Sequence, residues 1–256
     1  MYIDTHAHLT DEAFKDRIEE VISAYKKSDV GLVINIGYDV KSSEESAFIA
    51  QNHDEIYFCA GLHPTDGEDA NDKNLSIIYD LTKQKKFVGI GEIGLDYHYG
   101  DEREKQKKNF VAQLALASET GSPVSVHARD CAEDLIKILS DWHDKVPAIV
   151  LHCYSLGAEC AKIFNKFGCY YAFGGAITFK NNKEIYEVVK NVPTDRLLTE
   201  TDCPYMTPEP FRGRPNAPEY VGYVTEKLAS LYGVTSEEMQ NTVLNNAKTV
   251  FTEIKL

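Results

Sequence analysis

His6 and His8 stand two residues apart at the end of a short apolar run near the N-terminus. On a strand, residues with that spacing point to one face, so both imidazoles can reach the same ion. Asp4 lies on that face too. Glu92, His127, His152 and Asp202 each close a further short apolar run. Imidazole and carboxylate donors suit Zn, Mn, Fe or Ni, with Mg admitted where carboxylates and water dominate. Together with the His pair these groups exceed what one tetrahedral ion takes and match two. A carboxylate such as Glu92 can bridge ions about 3.5–4 Å apart.

Groups so far apart in sequence meet only if the elements carrying them converge. Apolar runs read as strands at Tyr2–His6, Gly31–Gly37, Ile56–Gly61, Phe87–Gly91, Pro123–His127, Ala148–His152, Tyr170–Gly174 and Arg196–Thr201. Amphipathic stretches follow them, among them Asp11–Lys27, Glu102–Thr120, Ala132–His143 and Glu184–Lys190. Within Glu102–Thr120, Phe110, Leu114 and Ala117 recur at helical spacing. Strands alternating with helices imply βαβ units and a parallel sheet. Eight such strands favour a closed (β/α)8 TIM barrel, with residues 1–256 as one domain; an open doubly wound sheet is the alternative. In a barrel, the C-terminal strand ends form one mouth, where active sites lie. The candidate ligands then belong to strands one, four, five, six and eight. The proline-rich segment Cys203–Ala217 follows the last strand at that mouth, and residues 219–256 read as two closing helices.

The chain has 256 residues, of which 43% are hydrophobic and 26% charged, so it can bury a large core without staples. No apolar run approaches the roughly 20 residues of a membrane span, and the N-terminus lacks the basic and apolar segments of a secretory signal. A cytoplasmic location with reduced thiols is therefore expected for the cysteines, which show no paired spacing. A net charge of −13 argues against broad adhesion to nucleic acid or anionic membrane. It leaves a phosphate-bearing substrate open, because bound cations can reverse the polarity of a site.

Read together, the motifs resemble the TatD family of metal-dependent deoxyribonucleases, within the amidohydrolase-like barrels. The matching segments are Asp4-Thr5-His6-Ala7-His8, Gly61-Leu62-His63-Pro64 and Gly91-Glu92-Ile93-Gly94-Leu95-Asp96-Tyr97. They continue with Val126-His127-Ala128-Arg129, His152-Cys153-Tyr154-Ser155, Glu200-Thr201-Asp202-Cys203-Pro204-Tyr205 and the loop Arg212-Gly213-Arg214-Pro215-Asn216. The resemblance implies His6, His8, Glu92, His127, His152 and Asp202 as ligands of two divalent ions (Mg, Mn or Zn). It implies DNA as substrate, cleaved from a 3′ end, with His63, Arg129 and Glu200 near the site. The chain departs from the family at Ala217, where a Glu is common, and at Tyr154 and Leu156, where Phe and Gly are usual. These departures bear on specificity.

Hydrolysis of a phosphodiester needs cations to neutralise the phosphate and acidify a water. Asp202 is the expected general base, with Glu92 the shared catalytic carboxylate. Substrate contacts are expected from His63, Arg129, Tyr154, Glu200, Arg212 and Asn216, an arginine offering phosphate a planar fork that lysine lacks. Blander roles stand beside these. Arg129 has Asp130 and Asp134 as possible ion-pair partners, Glu200 can serve only to orient ligands, and Tyr97, Tyr99, Tyr154 and Tyr205 can be rim packing. His53, His98 and His143 read as surface or helix-packing residues. Hydrolysis of an amide or an aminoacyl-tRNA ester at the same centre is the competing activity, and a non-catalytic binding barrel the third reading. No obligate protein partner is expected.

Overall fold

The computed structural model describes residues 1–66, 68–182 and 184–255. Its strands are β1 (Tyr2–Ala7), β2 (Val30–Ile36), β3 (Ile56–Ala60), β4 (Phe87–Asp96), β5 (Val124–Arg129), β6 (Ile149–Leu151), β7 (Tyr170–Phe173) and β8 (Leu197–Thr199). All pair in parallel in sequence order. The eighth strand returns to the first through polar bonds at its end. Thr199 Oγ1 donates to the Ile3 carbonyl at 2.8 Å and Thr5 Oγ1 to the Thr199 carbonyl at 3.0 Å. Beyond them, Asp202 N donates to His6 O and His8 N to Cys203 O. The barrel is the expected one, and the open sheet is excluded.

Helices α1 (Ile18–Lys27), α2 (Val40–Asn52), α3 (Asp72–Thr82), α4 (Arg103–Thr120), α5 (Ala132–Trp142), α6 (Gly157–Lys166), α7 (Glu184–Val189), α8 (Val221–Tyr232) and α9 (Ser236–Val250) surround it. On α4, Phe110, Leu114 and Ala117 are fully buried. Withdrawing a Leu- or Phe-sized side chain from water in this way stabilises by about 1.5–3 kcal/mol.

Two boundaries differ most from the sequence reading. The helix expected over Asp11–Lys27 is interrupted: Glu12–Phe14 forms a short 3-10 turn, and Asp16 sits at φ +61 before α1 starts. A left-handed residue cannot continue a right-handed helix. Strand β4 runs on from Gly91 to Asp96, every residue of it buried. Its two faces differ in use, because Ile93 and Leu95 belong to the core while Glu92 and Asp96 turn to the barrel mouth.

Candidate metal centre

β1 delivers His6, and His8 lies just past its end, pinned by the bond from its backbone N–H to Cys203. Asp4 braces the junction of β1 with the segment after β8. Its carboxylate accepts from Thr201 N at 2.9 Å and from Thr201 Oγ1 at 2.6 Å, which ties the turn carrying Asp202 to β1. Burial pushes the Asp4 carboxyl up to about 8. His127 projects from β5 beside Gly94 of β4. Gly94 has φ +141, and a Cβ there would lie 2.1 Å from the His127 carbonyl oxygen. Only glycine lets the two strands approach at that level.

Glu92 lies at the middle of the cluster, and its two oxygens face different neighbours. Oε2 is 3.4 Å from Nε2 of both His6 and His8. Oε1 is 2.9 Å from His127 Nδ1 and from His152 Nε2, and 3.5 Å from His63 Nε2. Asp202 Oδ1 approaches from β8, 3.4 Å from His8 Nε2 and 4.0 Å from His6 Nε2. Three groups of donors lie within 4.8 Å of one another: His6, His152 and Asp202; His6, His8 and Glu92; His63, Glu92 and His127.

The outer nitrogen of each imidazole is held. His6 Nδ1 meets Ser125 Oγ at 3.3 Å and His8 Nδ1 meets the Ile36 carbonyl at 3.1 Å. His127 Nε2 meets Asp96 Oδ2 at 2.9 Å, and His152 Nδ1 meets Glu200 Oε1 at 3.2 Å. An imidazole that gives one N–H to a carboxylate or carbonyl keeps the other lone pair for a metal. Donor types and outer partners therefore fit divalent cations.

Electrostatics agree. Burial opposes ionisation of Glu92, yet the facing His152 and His63 hold its carboxyl well below the usual range. Burial also opposes charge on His8, but Asp202 and Glu92 outweigh it and push the imidazole up to about 10. Acidic oxygens here hold positive charge, whether protons or metal.

The cavity over this centre has a volume of about 990 Å³ and is lined by His8, His63, Glu92, His127, His152 and Asp202. His63 enters it with Nδ1 held by Asp66 at 2.9 Å. Arg129 lines it too, its guanidinium 4.7 Å from the Tyr99 ring centroid. The carboxylates that sequence offered to Arg129 are engaged elsewhere. Asp130 pairs with His98 at 3.1 Å, and Asp134 accepts from the Tyr97 hydroxyl at 2.6 Å. Tyr154 and Leu156 stand in the wall.

Three expected substrate contacts lie outside the cavity lining. Glu200 is fully buried, its Oε1 accepting from Cys153 N at 2.6 Å as well as from His152, while its Oε2 has no hydrogen-bond partner among the described residues. Asn216 is fully buried, and its amide donates to the carbonyls of Thr201 at 2.8 Å and Tyr205 at 2.6 Å. It folds the loop after β8. Arg212 packs 3.7 Å over the Phe179 ring and is not among the residues lining the cavity. Ala217 is likewise outside that lining and donates its N–H to Asn216. Asp96 was missed. Its signal was its even spacing from Glu92 on one strand, hidden because β4 was read as ending at Gly91.

Comparison with known proteins follows the same line. A family model described as TatD related DNase matches residues 3–252. The Bacillus subtilis protein YabD, an uncharacterized metal-dependent hydrolase, is 41% identical over 252 residues, covering 98% of this chain and 99% of its own. A protein of Escherichia fergusonii named 3′-5′ ssDNA/RNA exonuclease TatD is 31% identical, covering 97% and 98%. The crystal structure of YjjV, a TatD homolog from Escherichia coli, superposes with a TM-score of 0.92 at 30% identity, covering 98% of each chain. With the match running through nearly every strand and helix, this chain belongs to the TatD-related DNase family of metal-dependent hydrolases.

Proposed function

We propose that the chain is a 3′-5′ exonuclease on single-stranded DNA, acting as one barrel domain over residues 1–256 in the cytoplasm. The observation that carries this is the division of donors about Glu92. His6 and His8 lie on its Oε2 side with Asp202 beside His8, and His127 and His152 lie on its Oε1 side. The exonuclease name of the Escherichia fergusonii relative supports the substrate. The six free cysteines are in keeping with a reducing compartment.

His6, His8 and Asp202 would hold one cation, His127 and His152 the other, with Glu92 shared. When bound, such a pair neutralises phosphate charge and lowers the pKa of water. Asp202, at the mouth of β8, accepts the proton of the attacking water. Arg129 presents its planar fork to phosphate oxygens from the cavity wall, while stacking on Tyr99 keeps that fork in one plane. His63, oriented by Asp66, turns Nε2 towards the reacting group. Asp96 and Glu200 hold the imidazoles of His127 and His152 in place.

Side-by-side assays with Mg, Mn and Zn on single-stranded DNA, an aminoacyl ester and a small amide test this reading. Metal-dependent release of nucleotides from a 3′ end is the expected result. Turnover of the ester or amide with no cleavage of DNA overturns it.

A further inference from the structure

Among the described residues, eight large apolar or aromatic side chains are exposed, and three of them, Tyr99, Tyr205 and Met206, line the cavity over the metal centre. Single exposed apolar residues are common on any protein surface, so position and accessibility decide what these can do. Tyr99 is 72% exposed and Tyr205 55%. Tyr97 and Tyr154 are placed differently. Tyr97 donates its hydroxyl to Asp134 at 2.6 Å and carries the Arg103 guanidinium over its ring, and Tyr154 is buried.

Both exposed rings are set by backbone bonds to residues that build the centre. Tyr99 N donates to Asp96 Oδ1 at 2.8 Å, and Asp96 Oδ2 is the partner of His127. Tyr205 N donates to the Asp202 carbonyl at 2.9 Å, and the Tyr205 carbonyl accepts from the buried Asn216 amide at 2.6 Å. The Tyr205 hydroxyl donates to Asp11 Oδ2 at 2.8 Å, which anchors the far end of that ring, and its centroid is 6.3 Å from that of His8. Arg129 covers one face of Tyr99, and the high exposure of that ring leaves its other face open. Tyr99 follows β4 and Tyr205 follows β8. In a closed barrel with strands in sequence order, β4 and β8 stand on opposite sides, so the two rings flank the metal centre across the mouth.

A polymer whose scissile bond lies over the centre passes one ring on each side. Stacking on a fixed aromatic side chain holds a base whatever its identity. Bases inside a duplex are paired and stacked on one another, so only an unpaired strand can splay them onto separate rings. We infer that Tyr99 and Tyr205 form a clamp for single-stranded DNA, stacking the bases on the two sides of the scissile phosphate. Arg129, packed on Tyr99, then lies beside that phosphate. The clamp rests on the nuclease reading above and assigns the choice of unpaired strands to two named rings.

The test uses the metal-loaded enzyme and single-stranded oligonucleotides that carry every base or have tetrahydrofuran residues in place of the last two at the 3′ end. Tyr99→Ala and Tyr205→Ala are each expected to lower kcat/KM on the base-bearing strand by about five- to hundredfold, the scale of one base-to-ring contact. The ratio of base-bearing to base-free turnover should fall with it. Tyr99→Phe and Tyr205→Phe keep the rings and should stay within a few-fold of wild type. Alanine variants that leave the ratio unchanged, or phenylalanine variants as slow as alanine, overturn the clamp and leave the nuclease reading intact. If no phosphodiester is cut with any metal, the nuclease reading fails. The clamp is then decided by fluorescence anisotropy of oligothymidylate on the metal-loaded protein: weaker binding by both alanine variants supports it, and unchanged or absent binding overturns it.

Discussion

Asp96→Asn tests whether an outer carboxylate decides which nitrogen of His127 is free for metal. Asp96 Oδ1 accepts from the backbone N–H groups of His98 and Tyr99, each at 2.8 Å, while Oδ2 meets His127 Nε2 at 2.9 Å. Burial opposes its ionisation, but the His127 bond and those N–H groups bring the carboxyl down to about 2. At neutral pH it is thus an acceptor only, and Nε2 carries the proton. In the variant, the two backbone donors keep the amide oxygen on their side. The amide NH2 then faces Nε2 and makes it the acceptor, which moves the imidazole proton to Nδ1. That nitrogen is the one turned to Glu92. Changing such an outer partner costs about 10–100-fold in metal affinity, or about 1.4–2.8 kcal/mol. Competition titration with a chelator on the purified variant measures this, and nitrogen NMR of the histidines reports the tautomer. Wild-type affinity with an unchanged His127 tautomer would refute the reasoning. A loss of affinity with the tautomer unchanged would reduce Asp96 to packing.

Other outcomes follow from the same site. Asp202→Asn should keep metal and substrate binding near normal and slow single-turnover hydrolysis by about 10²–10⁴-fold; parallel loss of metal and activity would make Asp202 chiefly a ligand. Because Asp202 and Glu92 keep a proton on His8 up to about pH 10, cation binding must displace it. Affinity should therefore rise about tenfold per pH unit for each displaced proton between roughly pH 6.5 and 9, and a flat titration speaks against this. Asp4, with its carboxyl raised from an ordinary 3.8 to about 8 by burial, binds a proton in the folded state that the unfolded chain has released. Stability of the metal-free protein should be fullest below pH 4 as far as this group is concerned and decline as pH rises to 8. Asp4→Asn should flatten that decline in urea melts. Arg129→Lys keeps the charge and loses the fork, and is expected to raise KM for DNA several-fold more than it lowers kcat.

The candidate ligands, their order and the barrel that gathers them were legible in the chain itself. Alternation of apolar runs with amphipathic stretches is a local property, and so is the position of His6, His127 and Asp202 at or near strand ends. Which nitrogen of each imidazole faces inward was decided by groups from other elements. Ser125 belongs to β5, Ile36 to β2 and Glu200 to the end of β8, and only barrel register brings them beside His6, His8 and His152. Tertiary placement set three residues whose chemistry alone pointed to substrate outside the cavity lining. Glu200 and Asn216 are buried, with Glu200 Oε1 bonded to a backbone N–H and the Asn216 amide to backbone carbonyls, and the exposed Arg212 packs on an aromatic ring. Arg129 went the other way, left facing the cavity because its neighbours Asp130 and Asp134 found other partners.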